Sequence, residues 1–415
     1  MSNFLTKIHV NKIFHLENFD IELNNEHLQH LIITGKNGSG KTILVNAIVE
    51  FLDKVKSDQA LSFLKYNYNL EFAQKHLATL KSQQAPIGEI RQYESNVQLW
   101  KNNIDNLYGK TEIFFNNLDQ ILQGYQQGNF IFAFYEAERK SVIIEPKNPI
   151  KPVYTDVYTI KQDRRVNQFL NFLVDLKVQE ALARNEGKIA DADVIRDWFV
   201  EFESLLKEIF QDKDIHLEFN YKDYSFFIVD GGKKFKFTEL SDGYSAIIDI
   251  VADLILKMQE ANTPNREYLK AGLVIIDEIE THLHLELQRL ILPMLTRIFP
   301  NVQFIVTTHS PFILNSLPNA VAYDLEKREK LEDLTEYSYE ALAEGYFGVK
   351  SESSYVQQQF DRLKQLAVQK TLSAGETAEL KLLVHEFDQV VSVVSPQVKG
   401  EYLTLKLEAE NLKPL

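Results

Sequence analysis

Short apolar runs alternate with stretches of helical periodicity along much of the chain. Residues 31–34, 129–135, 273–276 and 304–307 are largely apolar runs bounded by polar or turn-forming residues. Such runs predict buried strands, because a strand covered on both faces has no polar side. Helical spacing of the apolar residues follows the first run and returns at about 284–298, between the last two. This order of strands and helices predicts an α/β fold.

Further elements are predicted around these runs. Alternating apolar and polar positions in 7–23 indicate short strands, and 162–210 has the pattern of two helices. Beyond residue 335 the pattern is mostly helical, and Ser373 with Glu376 forms a capping box that predicts the start of a helix. Short strands with hairpin signals are predicted at 215–221, 225–229 and 234–237.

Residues 54–110 follow a pattern of their own, with two stripes of apolar residues spaced three and four apart. A polar break that contains Pro86 and Gly88 separates the stripes. Two heptad stripes of equal length around a turn predict a short antiparallel coiled-coil hairpin, and two amphipathic helices lying on the rest of the protein are the alternative. The stripes are Phe63, Tyr66, Leu70, Ala73, Leu77 and Leu80, then Ile90, Tyr93, Val97, Trp100, Ile104 and Leu107.

Composition narrows the class of protein. Of the 415 residues, 45% are hydrophobic and 25% are charged, a balance with which a large core can be buried. The 45 Lys and Arg against 59 Asp and Glu give a net charge of −14, which argues against a general nucleic-acid coat but leaves room for a local basic groove. There is no cysteine, so disulfides and cysteine-based zinc sites are excluded, and a reducing compartment is expected.

Neither a membrane span nor a signal peptide is expected. No uncharged stretch of about 18 apolar residues occurs, and residues 1–17 contain charges and no long apolar centre. We therefore expect a cytoplasmic protein without membrane association.

A glycine-rich segment between an apolar run and a helical pattern fits the phosphate-loop motif G-x-x-x-x-G-K-[ST] in full. Glycines allow backbone amides to turn toward phosphate oxygens, and the N-terminus of the following helix adds positive potential. Lys41 is expected to reach the β- and γ-phosphates of ATP, and the Thr42 hydroxyl to bind Mg²⁺. The expected nucleotide-binding residues of the motif are Gly35, Lys36, Asn37, Gly38, Ser39, Gly40, Lys41 and Thr42.

The apolar run 273–276 ends in two carboxylates, Asp277 and Glu278. The first is expected to hold Mg²⁺ through water, and the second to orient and deprotonate the attacking water. An apolar strand that ends in two acidic residues is a weak signal alone, but downstream of a phosphate loop it predicts ATP hydrolysis. We therefore assign Glu278 as catalytic, and Asp277 with Thr42 as metal-binding.

Two further segments flank Asp277 in the sequence. Upstream, Leu240-Ser241-Asp242-Gly243 opens a predicted helix, and a serine and a glycine at a helix start form an anion site. Downstream, His309 follows the next apolar run, where a histidine can sense and polarise a γ-phosphate. Taken singly, these segments have a helix cap and an ordinary strand-end histidine as alternatives. Their order and spacing favour assigning Ser241 and Gly243 to nucleotide binding and His309 to catalysis.

Together these motifs resemble those of the ABC-type ATPase heads of the SMC, RecF and OLD group. They are most similar to those of the compact AAA-type ATP-binding proteins of bacterial antiphage systems, such as PtuA of Septu and AriA of PARIS. The likeness is carried by the phosphate loop, by residues 240–243, and by the runs 277–284 and 308–311.

The resemblance implies an ABC-type P-loop ATPase head in two parts. Its N-terminal part is 1–52 and its C-terminal part 112–330. The hairpin insertion at 53–111 separates them, and a helical C-terminal region at 331–415 follows.

The resemblance also implies that ATP is held between two subunits. Ser241 and Gly243 would grip the γ-phosphate of ATP bound at Lys41 of a second copy, so hydrolysis needs a head-to-tail homodimer or a higher homo-oligomer. The sequence departs from the group's pattern at Ile279 and Leu285, where proline is frequent. A glutamine that contacts Mg²⁺ after the insertion is not evident.

The segment Phe134-Tyr135-Glu136-Ala137-Glu138-Arg139 stands where that glutamine would be sought. Two interpretations of Arg139 are open, a phosphate contact and a surface salt bridge. Phe14 or His15 is a candidate for the adenine, with a core or edge-strand role as the alternative.

Three functions suit such a head. The first is a sensor or controller in antiphage defence that assembles with or regulates a separate effector, a nuclease encoded nearby. No Glu with a downstream Asp-x-Asp is found after His309, so no nuclease domain is expected in this chain. The alternative is a DNA repair or recombination ATPase like RecF and SMC, which binds nucleic acid directly. A transporter subunit is disfavoured by residues 240–243 and by the heptad insertion.

Overall fold

The computed structural model describes residues 3–56, 59–139, 143–152, 160, 166–259, 268–331, 334, 337–345, 354–369, 371–390 and 396–412. Two compact units are present, Met1–Thr335 and Glu336–Leu415. Among the described helices, none combines the length and the apolar character needed to cross a membrane.

The first unit holds all the strands of the described chain. In chain order these are β1 (Leu5–Ile13), β2 (Leu16–Glu22), β3 (His30–Thr34), β4 (Thr111–Phe115), β5 (Phe130–Tyr135), β6 (His216–Asn220), β7 (Ser225–Asp230), β8 (Lys233–Lys236), β9 (Ala271–Ile276), β10 (Val302–Thr307), β11 (Ala320–Asp324) and β12 (Glu329–Leu331).

The α-helices are divided between the two units. The first unit contains α1 (Lys41–Lys56), α2 (Gln59–Ser82), α3 (Ile87–Tyr108), α4 (Leu118–Gln126), α5 (Phe169–Asn185), α6 (Ile189–Phe210), α7 (Asp242–Lys257), α8 (Leu285–Ile298) and α9 (Pro311–Leu314). The second contains α10 (Tyr339–Gly345), α11 (Ser354–Val368), α12 (Ala374–Val390) and α13 (Pro396–Leu412).

A six-stranded sheet forms the centre of the first unit, in the order β12-β11-β3-β10-β9-β5. The strands β11, β3, β10, β9 and β5 run parallel, and β12 is antiparallel to β11. The four strands that the apolar runs predict are confirmed as β3, β5, β9 and β10. Since they are parallel, their carboxyl ends share one edge of the sheet, where open α/β sheets bind ligands.

Two smaller antiparallel sheets accompany the central one. One has the order β2-β1-β4 and the other the order β6-β7-β8. The α/β prediction is therefore confirmed, and the sheet arrangement is mixed.

The core of the first unit lies between the sheets and the helix that follows the phosphate loop. Leu44, Val45 and Ile48 of α1 are fully buried, and they belong to one apolar cluster with β1, β3, β9 and β10. Burial of this kind supplies most of the free energy that holds α1 beside the sheet.

The helix α7 is buried almost all round, which marks a central helix. It nevertheless carries charged residues inside. Asp253 Oδ2 accepts hydrogen bonds from Lys257 Nζ and, at 2.7 Å, from the hydroxyl of Tyr135 in β5. Asp253 and Lys257 are thus paired inside the protein.

The helices α2 and α3 lie side by side and antiparallel. Tyr66 contacts Trp100, His76 contacts Tyr93 with ring centroids 4.4 Å apart, and Lys81 forms an ion pair with Glu94. Early residues of α2 therefore meet late residues of α3. Supercoiling of the pair as a coiled coil stays a prediction.

The second unit consists of helices in its described part. Phe360, Leu363, Leu380, Phe387 and Tyr402 form the centre of its apolar cluster. The predicted capping box is confirmed at the start of α12, where the residue 373 amide donates to the Glu376 carboxylate at 2.8 Å.

Candidate functional site

The phosphate loop, residues 35–42, connects β3 to α1 at the carboxyl edge of the central sheet. Gly35 and Gly40 have φ of 138° and 100°, which residues with a Cβ rarely adopt. A Cβ on Gly35 would lie 2.8 Å from Oγ of Ser39, and one on Gly40 would lie 2.9 Å from Cδ1 of Leu16. The turn therefore requires glycine at both positions.

The side chain of Lys41 turns back into the loop. It is buried, and Nζ donates to the carbonyl oxygens of Gly35 at 2.8 Å and Lys36 at 3.2 Å. Burial lowers the pKa of Lys41, while nearby carboxylates, those of Glu278 and Glu280 foremost, act in the opposite direction. The ammonium group is thus placed in the field of acidic residues from the neighbouring strands.

Hydroxyl groups complete the loop. Ser39 is buried, and its Oγ has no hydrogen-bond partner within the described chain. An unpaired buried hydroxyl is costly unless a ligand supplies the partner. Together with the glycine turns and the ammonium group of Lys41, this hydroxyl suits the oxygens of a polyphosphate, and the exposed Thr42 is available to a divalent cation.

Asp277 and Glu278 follow β9 directly. The Thr307 hydroxyl at the end of β10 donates to Oδ1 of Asp277 at 2.5 Å and accepts the Glu278 amide at 2.7 Å. Asp277 is buried and its amide donates to the Tyr135 carbonyl at 2.8 Å. Asp277 is therefore held by β5 on one side and β10 on the other, and Glu278 is held by β10.

The backbone of Glu278 is in the left-handed region, with φ of 45°. A residue other than glycine is uncommon there and costs conformational energy. The Thr281 hydroxyl lies 3.4 Å from Oε2 of Glu278. The left-handed turn directs the chain of Glu278 away from the line of β9.

Arg139, four residues beyond β5, contacts this same turn. It is buried, and its guanidinium donates to main-chain carbonyls, including those of Asp277 at 3.0 Å and Glu278 at 2.6 Å. These hydrogen bonds are to carbonyl groups inside the protein, and the phosphate contact and the salt bridge stay predictions. A pattern in one sequence does not signal such a contact, because carbonyls are present at every residue.

His309 lies beyond β10, beside the acidic residues. Its amide donates to Oε1 of Glu280 at 2.5 Å. Burial and then the charge of Lys41 lower the pKa of His309, so its ring is neutral at neutral pH. Burial raises the pKa of Glu280, and its Oε2 has no hydrogen-bond partner among the described residues.

Residues 240–243, at the start of α7, contact the loop after β9. Ser241 is the N-cap of α7, is exposed, and does not cap the helix with its hydroxyl. Gly243 is buried, and a Cβ there would lie 2.9 Å from the carbonyl oxygen of His282. Within the described chain, the start of α7 thus meets the loop after β9, and no hydrogen bond joins Ser241 to residues 35–42.

The two adenine candidates differ in position. His15 Nε2 lies 3.1 Å from the carbonyl oxygen of Ser39, so it supports the phosphate loop. Phe14 is 78% exposed and has φ of 54°. Phe14 adjoins His15, which contacts the loop, and its contact with an adenine stays a prediction.

A cation at this edge would use few protein ligands. Among the described residues, no group of three or more His, Cys, Asp or Glu is placed to hold a metal ion. Mg²⁺ commonly takes one or two protein ligands and completes its shell with water and phosphate oxygens. Thr42 and Asp277 suit that arrangement.

Comparison with known proteins shows the family to which the chain belongs. The family model described as "AAA domain, putative AbiEii toxin, Type IV TA system" matches residues 64–315, more than half of the chain. The match begins after the phosphate loop and includes Asp277, Glu278 and His309.

Three curated proteins are similar. A Septu protein PtuA of Bacillus mycoides is 32% identical over 36% of this chain and 22% of its own length. A retron Vc95 probable ATPase of Vibrio cholerae is 29% identical over 35% of this chain and 28% of its own length. A PtuA of Bacillus thuringiensis is 24% identical over 69% of this chain and 67% of its own length. The chain thus spans about a quarter of the first two relatives.

Among solved structures, an SMC head bound to the C-terminal winged-helix domain of ScpA aligns over 80% of this chain and 95% of its own, with 12% identity and a TM-score of 0.37.

Proposed function

The chain belongs to the AAA domain family described as putative AbiEii toxin, Type IV TA system, and on that premise we propose that it binds ATP with Mg²⁺ and hydrolyses it. One observation carries the proposal. The phosphate loop follows β3, the pair Asp277 and Glu278 follows β9, and His309 lies beyond β10, so parallel strands bring them to one edge. After burial, the charge of Lys41 is the next cause that lowers the pKa of His309, which supports placing these groups in one site.

Each residue has a role in this proposal. Lys41 and the amides of the phosphate loop bind the triphosphate, and Glu278 accepts a proton from the attacking water. Thr42 and Asp277 would hold Mg²⁺, which when bound neutralises charge on the phosphates. The ring N–H of a neutral His309 would donate a hydrogen bond to a γ-phosphate oxygen without adding a charge.

We further propose that the site is completed by a second copy of the chain in a head-to-tail dimer. The support is the exposed hydroxyl of Ser241 at the N-terminus of α7, a helix end suited to an anion that its own subunit does not supply. The nucleotide would therefore be bound by residues of both subunits.

We propose that ATP binding and hydrolysis by this chain control a separate protein. Relatives named as Septu protein PtuA and retron ATPase support a role in antiphage defence, and the paired helices α2 and α3 with the helical second unit offer surfaces for a partner. We propose that the ATPase assembles with or regulates an effector, a nuclease encoded beside it.

The test is affinity purification of the tagged chain together with the products of its neighbouring genes, with ATP and without it. We expect the Glu278→Gln variant to bind ATP, to lose turnover by about two orders of magnitude or more, and to retain the partner in an ATP-dependent complex. Glu218→Gln, the same change at an exposed ion pair of the sheet β6-β7-β8, serves as the matched control. A chain that hydrolyses no ATP would contradict the enzymatic part, and an ATPase that stays monomeric with no partner would contradict the controller part.

A further inference from the structure

Arg139 donates hydrogen bonds to four main-chain carbonyls that lie around its guanidinium group. Its Nε lies 3.3 Å from the Glu136 oxygen, Nη1 lies 3.4 Å from that of Ile279, and Nη2 lies 3.0 Å and 2.6 Å from those of Asp277 and Glu278. Three of these carbonyls belong to consecutive residues at the end of β9. The planar guanidinium, with donors in fixed directions, suits such a cluster of acceptors.

These carbonyls belong to a turn that is strained. Glu278 has φ of 45°, and a non-glycine residue keeps such a backbone only when its surroundings hold it there. From the β10 side, Thr307 accepts the Glu278 amide through its hydroxyl and the Ile279 amide through its carbonyl. From the other side, Arg139 binds the carbonyl of each of these residues. The peptide groups on both sides of the Glu278 Cα are therefore held.

The position of Arg139 in the fold makes this contact rigid. It lies a few residues after β5, which pairs in register with β9, Tyr135 opposite Ile276. Arg139 is 7% exposed. A charged group buried in this way needs its donors satisfied, so the arginine and the turn stabilise each other.

We propose that Arg139 is a positioning residue for ATP hydrolysis: it fixes the left-handed turn at Glu278 and so aims that carboxylate at the water that attacks the γ-phosphate. This rests on the proposed ATPase function. Arg139 acts through the main chain and does not itself touch the phosphates. It supplies at this turn the pre-organisation that a catalytic base requires.

The first test is kinetic and uses the full-length chain. Arg139→Lys keeps the charge but cannot reach all four carbonyls, and Arg139→Gln removes the charge. We expect either variant to lower kcat for ATP by about tenfold or more while the Kd for ATP stays within about twofold. A loss of ATP affinity comparable with that of Lys41→Met would instead assign Arg139 to phosphate binding and overturn the proposal.

A double-variant cycle separates positioning from general damage. If Arg139 acts through Glu278, adding Arg139→Lys to Glu278→Gln should change the residual single-turnover rate by less than about twofold. An equal loss in both backgrounds would overturn the proposal. So would failure of both Arg139 variants to fold, because the residue would then be structural.

A second measurement needs no ATP. Hydrogen exchange of the amides of residues 278–281 should be about tenfold faster or more in Arg139→Lys, with the amides of β3 and β10 unchanged. Arg362→Lys, whose arginine pairs with Glu379 in the second unit, is the control and should leave the turn as it is. Unchanged exchange at the turn overturns the proposal. Because this measurement is independent of turnover, it tests whether Arg139 holds the turn separately from whether the chain hydrolyses ATP.

Discussion

A single hydroxyl group, that of Thr307, is bonded to both acidic residues at the end of β9. The hydroxyl donates to the Asp277 carboxylate and accepts from the main-chain amide of Glu278, so it orients both residues. The residue precedes three polar residues and a proline in the sequence, which gives no reason to single it out. Its importance follows only from the parallel pairing of β10 with β9.

Replacing Thr307 tests this double contact. We expect Thr307→Val to lower kcat for ATP by about tenfold or more, since a misplaced carboxylate is costly in the transition state, while Thr307→Ser keeps the hydroxyl and stays near the wild-type rate. Steady-state ATP hydrolysis at saturating Mg²⁺ checks both. Equal rates for the valine and serine variants would contradict the role assigned to the hydroxyl group.

Burial changes the pKa of a single residue, His30. Its Nδ1 accepts the Phe304 amide at 3.1 Å, and burial lowers the pKa of His30 to about 4. The ring is therefore neutral in the folded protein over a range in which an unfolded chain takes up a proton.

A pH dependence of stability follows from His30. Its folded pKa is depressed, so its contribution is complete above the unfolded value near 6.5 and is lost as the pH falls toward 4. Between pH 7 and pH 5 we expect His30 to reduce the free energy of unfolding by about 2 kcal/mol. Denaturant titration of the wild type at both pH values gives the total change.

The matched control is His30→Asn, which keeps an acceptor near Nδ1 and does not titrate. The difference between the two proteins isolates the histidine from the carboxylates that also titrate in this range. An equal loss of stability in both proteins between pH 7 and pH 5 would contradict the assignment.

At the scale of elements, α7 joins the residues 240–243 to the central sheet. Its Asp253 is paired with Lys257 and bonded to Tyr135, and both charged residues are almost fully buried. A buried pair of this kind contributes little net stability, but breaking it leaves an uncompensated charge.

We therefore expect Lys257→Met to lower the free energy of unfolding by about 3 kcal/mol or more. Adding Asp253→Asn should recover part of this loss, because asparagine is neutral and still accepts from the Tyr135 hydroxyl. Urea denaturation of the two variants and the wild type measures these differences in the free energy of unfolding. A double variant less stable than Lys257→Met would show that the aspartate is needed for more than charge balance.

The elements that carry the site could be predicted from the sequence, and their supports could not. β3 and β9 are apolar runs that end directly in recognisable motifs, so local pattern and order were sufficient. β4 and β11 have weaker patterns, since each is a short strand that alternates or sits near the edge of its sheet. The contacts of Arg139 and Thr307 could not be predicted, because they join residues far apart in the sequence. Arg139 binds main-chain carbonyls, and Thr307 binds the Asp277 carboxylate and the Glu278 amide.

At the scale of the whole molecule, the proposed dimer makes a prediction about mixtures. Ser241→Arg should bind ATP but lose turnover, because the large cation blocks the γ-phosphate of the opposite subunit. Glu278→Gln loses turnover for a different reason, within its own site. In a mixed dimer, one of the two sites combines the intact Glu278 with the intact Ser241.

Mixing equal amounts of the two inactive variants should therefore restore about a quarter of the wild-type activity, if subunits exchange freely and the sites act independently. Mixing Glu278→Gln with Lys41→Met, both defects of the same half of the site, is the control and should restore nothing. Activity in the first mixture no greater than in the second would contradict a shared site.

The place of β3 in the sheet also has a consequence for how the chain is made. This strand, which leads into the phosphate loop, is synthesised long before both of its neighbours, β10 and β11, which come close to the end of the first unit. At translation rates of about 5 to 20 residues per second, β3 waits roughly 15 to 60 s with both edges unpaired. During that interval the nascent chain exposes an apolar strand to any other strand nearby. The ATP-binding edge can close only once nearly all of the first unit has left the ribosome.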